Sequence, residues 1–274
     1  MNRVVFRLAM RDLLRSKKAL FALLVSLVPA ILAVLAVVES MGYQDAPWHP
    51  LLTPGLAFVG LTVSIPITCL ILAGGLLADE AEDRTLSYLL VRPIPRRTLY
   101  LSRGLAVALV AVALSAVQVL TTWLVELVAF SNLALPDQTV DAVDGGVVDA
   151  TVLVSISPLL ALLVAAVAAV LYTAMFGAGS VIFPRYHFFG NLTFFAIWEL
   201  MFGFVPIATA WLSGSHALRA WLAAMDPTLD AYTYAEGGLQ WLGLPVVLVL
   251  VVAWTLIGAR IMQRRDFHVT SAAT

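Results

Sequence analysis

The chain has 274 residues, of which 61% are hydrophobic and 12% charged, and its formal net charge is −1 at pH 7. Soluble domains carry about 25% charged residues, so this composition excludes an ordinary water-soluble domain and indicates a protein embedded in lipid. The near-neutral charge argues against nucleic-acid binding. The single cysteine, Cys69, excludes an intramolecular disulfide, and no Cys/His cluster has the spacing of metal ligands.

Six apolar segments are long enough to cross a bilayer, which requires about 20 mainly apolar residues. Their approximate bounds are 19–38, 54–78, 98–130, 151–183, 188–211 and 239–262. Several contain prolines, among them Pro29 and Pro66, which membranes tolerate where neighbouring helices satisfy the backbone groups that proline frees. The sequence therefore predicts an all-α integral membrane protein with six transmembrane helices in a single domain, residues 1–274.

Charge predicts the orientation of these segments. Fifteen of the 16 basic residues fall on one side of a six-span arrangement, and only Arg219 falls on the other, where the loops are acidic. By the positive-inside rule, both termini are predicted to be cytoplasmic. The chain is thus expected to be a multi-pass protein of the cell membrane.

Two short helices are predicted outside the spans. Residues 1–18 place arginines at every fourth position, on one broad helical stripe with apolar residues largely opposite, which is typical of an amphipathic helix on an anionic leaflet. The alternative is an unstructured basic flank. In the last outer loop, a helix is expected over about 216–225, ended by Asp226-Pro227 and lying in the outer interface, with a plain loop as the alternative.

The connection between the second and third spans predicts a cytoplasmic docking helix over about 79–92. Four acids at its start favour a helix N-terminus. Leu86, Leu89 and Leu90 then form one apolar face, and Pro93 stops the helix. Exposed leucines in a cytoplasmic connection require a partner to cover them.

This connection resembles the signature region of the ABC-2 type permeases: an acid, Gly-Thr-Leu, a leucine pair, and a proline followed by Arg or Lys. The chain departs from it at Arg84, where glycine is usual, and at Pro95, which replaces a small polar residue. The resemblance extends over the whole chain, through the basic start, the six spans and the short outer helix. The residues that match the signature are Glu80, Thr85, Leu86, Leu89, Leu90, Pro93 and Arg96.

The resemblance implies a permease subunit that forms a translocation path, exports its cargo and couples to ATP hydrolysis by a separate ATPase docked on these residues. It also implies pairing with a second copy or a paralogous permease. ATP and Mg²⁺ would be bound by the ATPase, with no cofactor on this chain. No GxxxxGK[ST] motif is present, and Lys17 and Lys18 follow no glycine loop, so the chain is not expected to be an enzyme.

Three polar residues within the spans are candidates for the translocation path: Glu199, Gln118 and Asn191. An ionised carboxylate in lipid is costly, so Glu199 is expected to face the bundle interior or to be protonated. The alternative for all three is a hydrogen bond that joins two helices. Two other function classes stay open: a scaffold or sensor that uses the docking helix, and a proton-coupled secondary transporter with Glu199 as the proton site.

Overall fold

The computed structural model describes residues 3–42, 55–76, 95–132, 140–141, 147–148, 157–184, 186–201, 203, 208–225 and 239–264. Nearly all of them are helical, which confirms the all-α fold class. The exception is an antiparallel pairing of two two-residue strands, β1 (Val140–Asp141) with β2 (Val147–Val148). The predicted docking helix at 79–92 lies outside the described residues.

The first half of the chain forms a long N-terminal helical region followed by two apolar helical segments. Its elements are α1 (Arg3–Arg15), α2 (Lys17–Ser26), α3 (Val28–Gly42), a first π-helix (Gly55–Ser64), α4 (Ile65–Ala73) and α5 (Arg96–Asn132).

The second half contains two long helices separated by several shorter ones. Its elements are α6 (Pro158–Ile182), α7 (His187–Phe195), a second π-helix (Ala196–Met201), a 3₁₀ turn (Ala208–Leu212), α8 (Gly214–Ala223), a second 3₁₀ turn (Leu239–Leu242) and α9 (Gly243–Arg264).

Five helical stretches among the described residues are long and apolar enough to cross a membrane. They are Lys17–Glu39, Gly55–Ala73, Arg96–Ala129, Pro158–Ile182 and Leu239–Arg264. These match five of the six predicted spans, so the protein is a multi-pass membrane protein.

The predicted fifth span, at about 188–211, is described only in part. A helix runs from His187 to Met201, about 22 Å at 1.5 Å per residue, and a 3₁₀ turn begins at Ala208. The count of six uninterrupted spans is therefore not reproduced in the described residues.

The N-terminal helix α1 packs against α5. Val5 is buried, and Met10 and Leu13 rest on the core, whereas Arg7 and Arg11 are exposed. Ser16 then caps α2, because its hydroxyl accepts a hydrogen bond from the Ala19 amide at 3.3 Å.

The core is built around α6, which contacts α4, α5, α7, α8 and α9. Seven of its 15 buried residues are alanine or glycine, and such small residues let membrane helices approach closely. Gly258 of α9 illustrates this, since a methyl group there would lie 3.1 Å from the Cα of Ala178 and would also collide with the Tyr100 hydroxyl. Close backbone packing on α6 thus holds the long helices together.

Two prolines interrupt the spans, and side chains from other helices bind backbone carbonyls beside them. Pro29 has no N–H to offer the Val25 carbonyl four residues earlier, and the hydroxyl of Ser64 donates to that carbonyl at 3.0 Å. Pro66 is the second residue of α4, directly after the first π-helix. The Leu61 carbonyl, five residues earlier in that π-helix, accepts a hydrogen bond from the Tyr172 hydroxyl at 3.2 Å. Hydroxyls of neighbouring helices thus bind backbone carbonyls beside both prolines.

We predict that Ser64→Ala lowers the melting temperature of the detergent-purified protein, because it removes a side-chain donor that joins two helices at the Val25 carbonyl. That carbonyl also accepts a backbone N–H, so the loss is that of one hydrogen bond, about 0.5–1.5 kcal/mol. The matched control is Ser115→Ala: this buried hydroxyl bonds only the Val112 carbonyl of its own helix, at 2.9 Å, and its loss should cost less.

The replacement Pro29→Ala restores an N–H four residues after Val25. In that background, Ser64→Ala should have a smaller effect. An equal loss of stability with and without the proline would contradict this account of Ser64.

Candidate functional site

The helix α8 lies inside the bundle. All ten of its residues are buried. Gly214, its first residue, contacts Leu171, the fourteenth of the 25 residues of α6, while Gly243 at the start of α9 contacts Ala217 and Trp221 further along. The N-terminus of α8 is thus level with the middle of a spanning helix. The sequence predicted this helix in the outer interface, and the structure places it within the protein.

The carboxylate of Glu199 caps the N-terminus of α8. Its Oε1 accepts a hydrogen bond from the Gly214 amide at 3.0 Å. Its Oε2 accepts from the Ser215 amide and from the Ser213 hydroxyl, each at 2.8 Å. The first amides of a helix have no partner within the helix, and the helix dipole favours a negative charge at this end. Glu199 therefore provides what a helix end away from water requires.

A buried arginine completes this group. The guanidinium of Arg219 donates to the carbonyl of Gly203 at 2.6 Å. Gly203 itself has no room for a side chain, since a Cβ there would lie 2.7 Å from the Ser215 hydroxyl and 2.8 Å from the Ser213 hydroxyl. We call Glu199, Gly203, Ser213, Ser215 and Arg219 the carboxylate cluster. Glu199 and Arg219 are both buried, and burying such groups requires the hydrogen-bond partners that the cluster provides.

The two other translocation-path candidates join different helices. The side-chain oxygen of Gln118 on α5 lies 2.9 Å from the Ser64 hydroxyl, where Gly60 leaves room for the amide. Asn191 on α7 packs against Gly179 of α6 and donates to the Phe176 carbonyl at 3.4 Å. The three residues Glu199, Gln118 and Asn191 are therefore not brought together, and each one binds a different neighbour.

The predicted ATPase-docking residues fall mostly beyond the part of the chain that the structure describes. Glu80, Thr85, Leu86, Leu89, Leu90 and Pro93 all lie outside it. Arg96 is described and forms the first residue of α5. Among the described residues, no group of His, Cys, Asp and Glu side chains has the arrangement of a metal site.

Sequence reasoning missed four members of the carboxylate cluster. Ser213, ahead of an apolar helical run, is a recognisable N-cap signal. Arg219 is the one basic residue on the predicted outer side, and it falls within the helix predicted over about 216–225. Ser213 bonds Glu199, 14 residues earlier, and Arg219 bonds Gly203, 16 residues earlier, and no local sequence pattern indicates either contact.

The model of the ABC-2 family transporter proteins matches residues 12–180, which is more than half of the chain. The chain belongs to this family. No curated protein matches it. The chain is thus a membrane permease of the ABC transporter type, as the signature residues indicated. The family match ends at Ser180, so the carboxylate cluster lies beyond it.

We predict that Glu199→Gln lowers the melting temperature in detergent while the protein still inserts into the membrane. The glutamine presents an NH₂ group where a carboxylate oxygen now accepts, so at least one donor at the start of α8 loses its partner. An unpaired buried donor lowers the stability by about 1–3 kcal/mol. Glu39→Gln on α3 is the matched control because Glu39 is exposed. Equal melting temperatures for the two variants would show that Glu199 does not anchor α8.

Proposed function

We propose that the chain is the membrane-spanning subunit of an ABC exporter, which forms the translocation path and is driven by a separate ATPase. The family match over residues 12–180 carries this proposal, because it includes the whole connection in which the signature residues lie. Two permease subunits, identical or paralogous, would pair, and ATP and Mg²⁺ would be bound by the ATPase. This chain would carry no nucleotide chemistry of its own.

The surroundings of the connection suit it to the transmission of a mechanical signal. The connection leaves the end of α4 and returns at α5, and the guanidinium of Arg103 on α5 donates to the Leu76 carbonyl at 3.2 Å. This bond ties its two flanks together. Since α4 and α5 both pack on α6, an ATPase that moves the docking helix would shift a connected group of helices as a body.

The proposed topology has both termini in the cytoplasm and six crossings of the membrane. It is supported by the charge distribution, with α5 beginning at Arg96 and α9 ending at Arg264. In this arrangement the helix from His187 to Met201 forms part of the fifth crossing. The carboxylate cluster provides partners for the Gly203 carbonyl and for the first amides of α8.

The alternatives differ in what they require of Glu199 and of ATP. A proton-coupled transporter would use Glu199 as a proton site, but both of its oxygens are engaged by donors of the chain, which favours an anchoring role. A scaffold or sensor would share the docking helix. Substrate-stimulated ATP hydrolysis by the purified complex favours the exporter, whereas hydrolysis without movement of any substrate favours the sensor.

We predict that Leu86→Asp/Leu90→Asp abolishes retention of the ATPase during affinity purification, and that transport falls with it. Burying one leucine stabilises a contact by roughly 1.5–3 kcal/mol. Replacing two such leucines by charged aspartates therefore removes more binding free energy than an ordinary interface can lose. Co-purified ATPase per permease is the measurement.

The matched control is Tyr88→Asp/Val91→Asp, which adds the same charge to the face of the same predicted helix that lies opposite the leucines. It should retain the ATPase. If the leucine variant melts normally and still holds a stoichiometric ATPase, the docking assignment is wrong.

A further inference from the structure

A cleft of about 200 Å³ lies between α5, α6 and α9, towards the end of α5 that carries Arg96 and Arg97. Gly104 lies in its floor, and a Cβ at this position would meet no atom within 4 Å. The cleft exists because residues along these helices are small, such as Ala108 and Gly177.

The lining of the cleft is apolar in character. Its threonine hydroxyls are engaged elsewhere: that of Thr255 donates to the Val251 carbonyl at 2.8 Å, and that of Thr173 lies 3.8 Å from the sulfur of Cys69. Leu101, Leu105 and Val170 also line the cleft, and each is 36–41% exposed. The cleft is therefore a hydrocarbon surface that opens sideways out of the bundle, towards the bilayer.

The cationic side chain of Arg97 lies in line with this surface. Arg97 is exposed and precedes Leu101 by about one helical turn. Residues 97, 101, 104 and 108 share one helical stripe, so Arg97 lies on the cleft side of α5 and about 6 Å from Leu101 along its axis. Arg97 makes no hydrogen bond or ion pair with any residue that the structure describes.

We propose that this cleft binds an anionic phospholipid of the surrounding leaflet. An acyl chain occupies the space above Gly104, and the headgroup phosphate pairs with Arg97. A guanidinium binds phosphate with two parallel hydrogen bonds, and this pairing is strong at a membrane interface, where water is depleted. The apolar cleft matches the acyl chain of such a lipid, and the cation at the end of the cleft matches its headgroup phosphate. The inference requires only that the protein is embedded in a membrane, and it is independent of ATPase coupling.

The test measures lipid binding to the full chain, purified in detergent without any ATPase. Native mass spectrometry records its binding of phosphatidylglycerol and of phosphatidylcholine with identical acyl chains. The wild type should prefer phosphatidylglycerol. Arg97→Gln should weaken phosphatidylglycerol binding by about tenfold, to the level of phosphatidylcholine, since one charge-assisted pair is lost.

Arg264→Gln is the matched charge control. Arg264 is exposed near the same end of the bundle, but it lies on the side of α9 opposite to Thr255. This variant should bind both lipids as the wild type does. Equal affinity of the wild type for the two lipids, or equal losses in the Arg97 and Arg264 variants, would indicate diffuse attraction without a site and would overturn the proposal.

The cleft itself is tested by filling it. Gly104→Leu projects a side chain into the open space, and it should reduce the binding of both lipids, whereas Gly104→Ala should leave phosphatidylglycerol bound. Unchanged binding to the leucine variant overturns the proposal. If the wild type binds no lipid there and Gly104→Leu alters the oligomeric state, a second copy of the chain occupies the cleft and the proposal is likewise wrong.

Discussion

The architecture depends on one constraint: inside a bilayer, backbone groups released at a helix break must find partners within the protein. Three carbonyls and one helix N-terminus illustrate how this protein meets the constraint. The side chains of Ser64, Tyr172 and Arg219 donate to the carbonyls of Val25, Leu61 and Gly203, respectively. The carboxylate of Glu199 accepts from the amides of Gly214 and Ser215. Each of these bonds also joins two parts of the chain, so the helix breaks are the points at which the bundle is tied together.

This arrangement has a mechanical consequence. A straight helix resists bending, whereas a break bridged by a few side-chain bonds can move as a joint if those bonds are exchanged. Breaks lie in the first span near Pro29 and in the second near Pro66, where the first π-helix meets α4. Both are close to α6 or to elements that pack on it. Movement of the connection between α4 and α5 would therefore reach the carboxylate cluster through α6, which contacts α8 directly.

Much of this fold could be predicted from the sequence, because length and hydropathy identify five of the spans without ambiguity. The signature residues also indicated the family correctly. The prediction that prolines would be satisfied by neighbours followed from general membrane physics, although the partners Ser64 and Tyr172 could not be named, since they lie 39 and 111 residues from the carbonyls that they serve.

The placement of α8 shows where such reasoning stops. Leu218, Trp221 and Leu222 suggested an apolar side facing lipid, with the opposite side in water. Both sides are buried, because Ser215 and Arg219 on the polar side find partners in the protein. The sequence shows which face of a helix is polar. It does not show whether that face binds water or hydrogen-bonding groups of the protein.

The burial of α8 level with the middle of α6 is tested most directly by disulfide cross-linking. In a Cys69→Ala background, Leu171→Cys/Gly214→Cys should form a disulfide under mild oxidation in membranes, because the two positions are in contact. Leu171→Cys/Ala223→Cys should not, since nine residues of helix place Ala223 about 13 Å further along α8. A different result would contradict this account: the first cross-link does not form, and a membrane-impermeant maleimide applied outside modifies the cysteine introduced by Gly214→Cys. That result would place α8 in the interface.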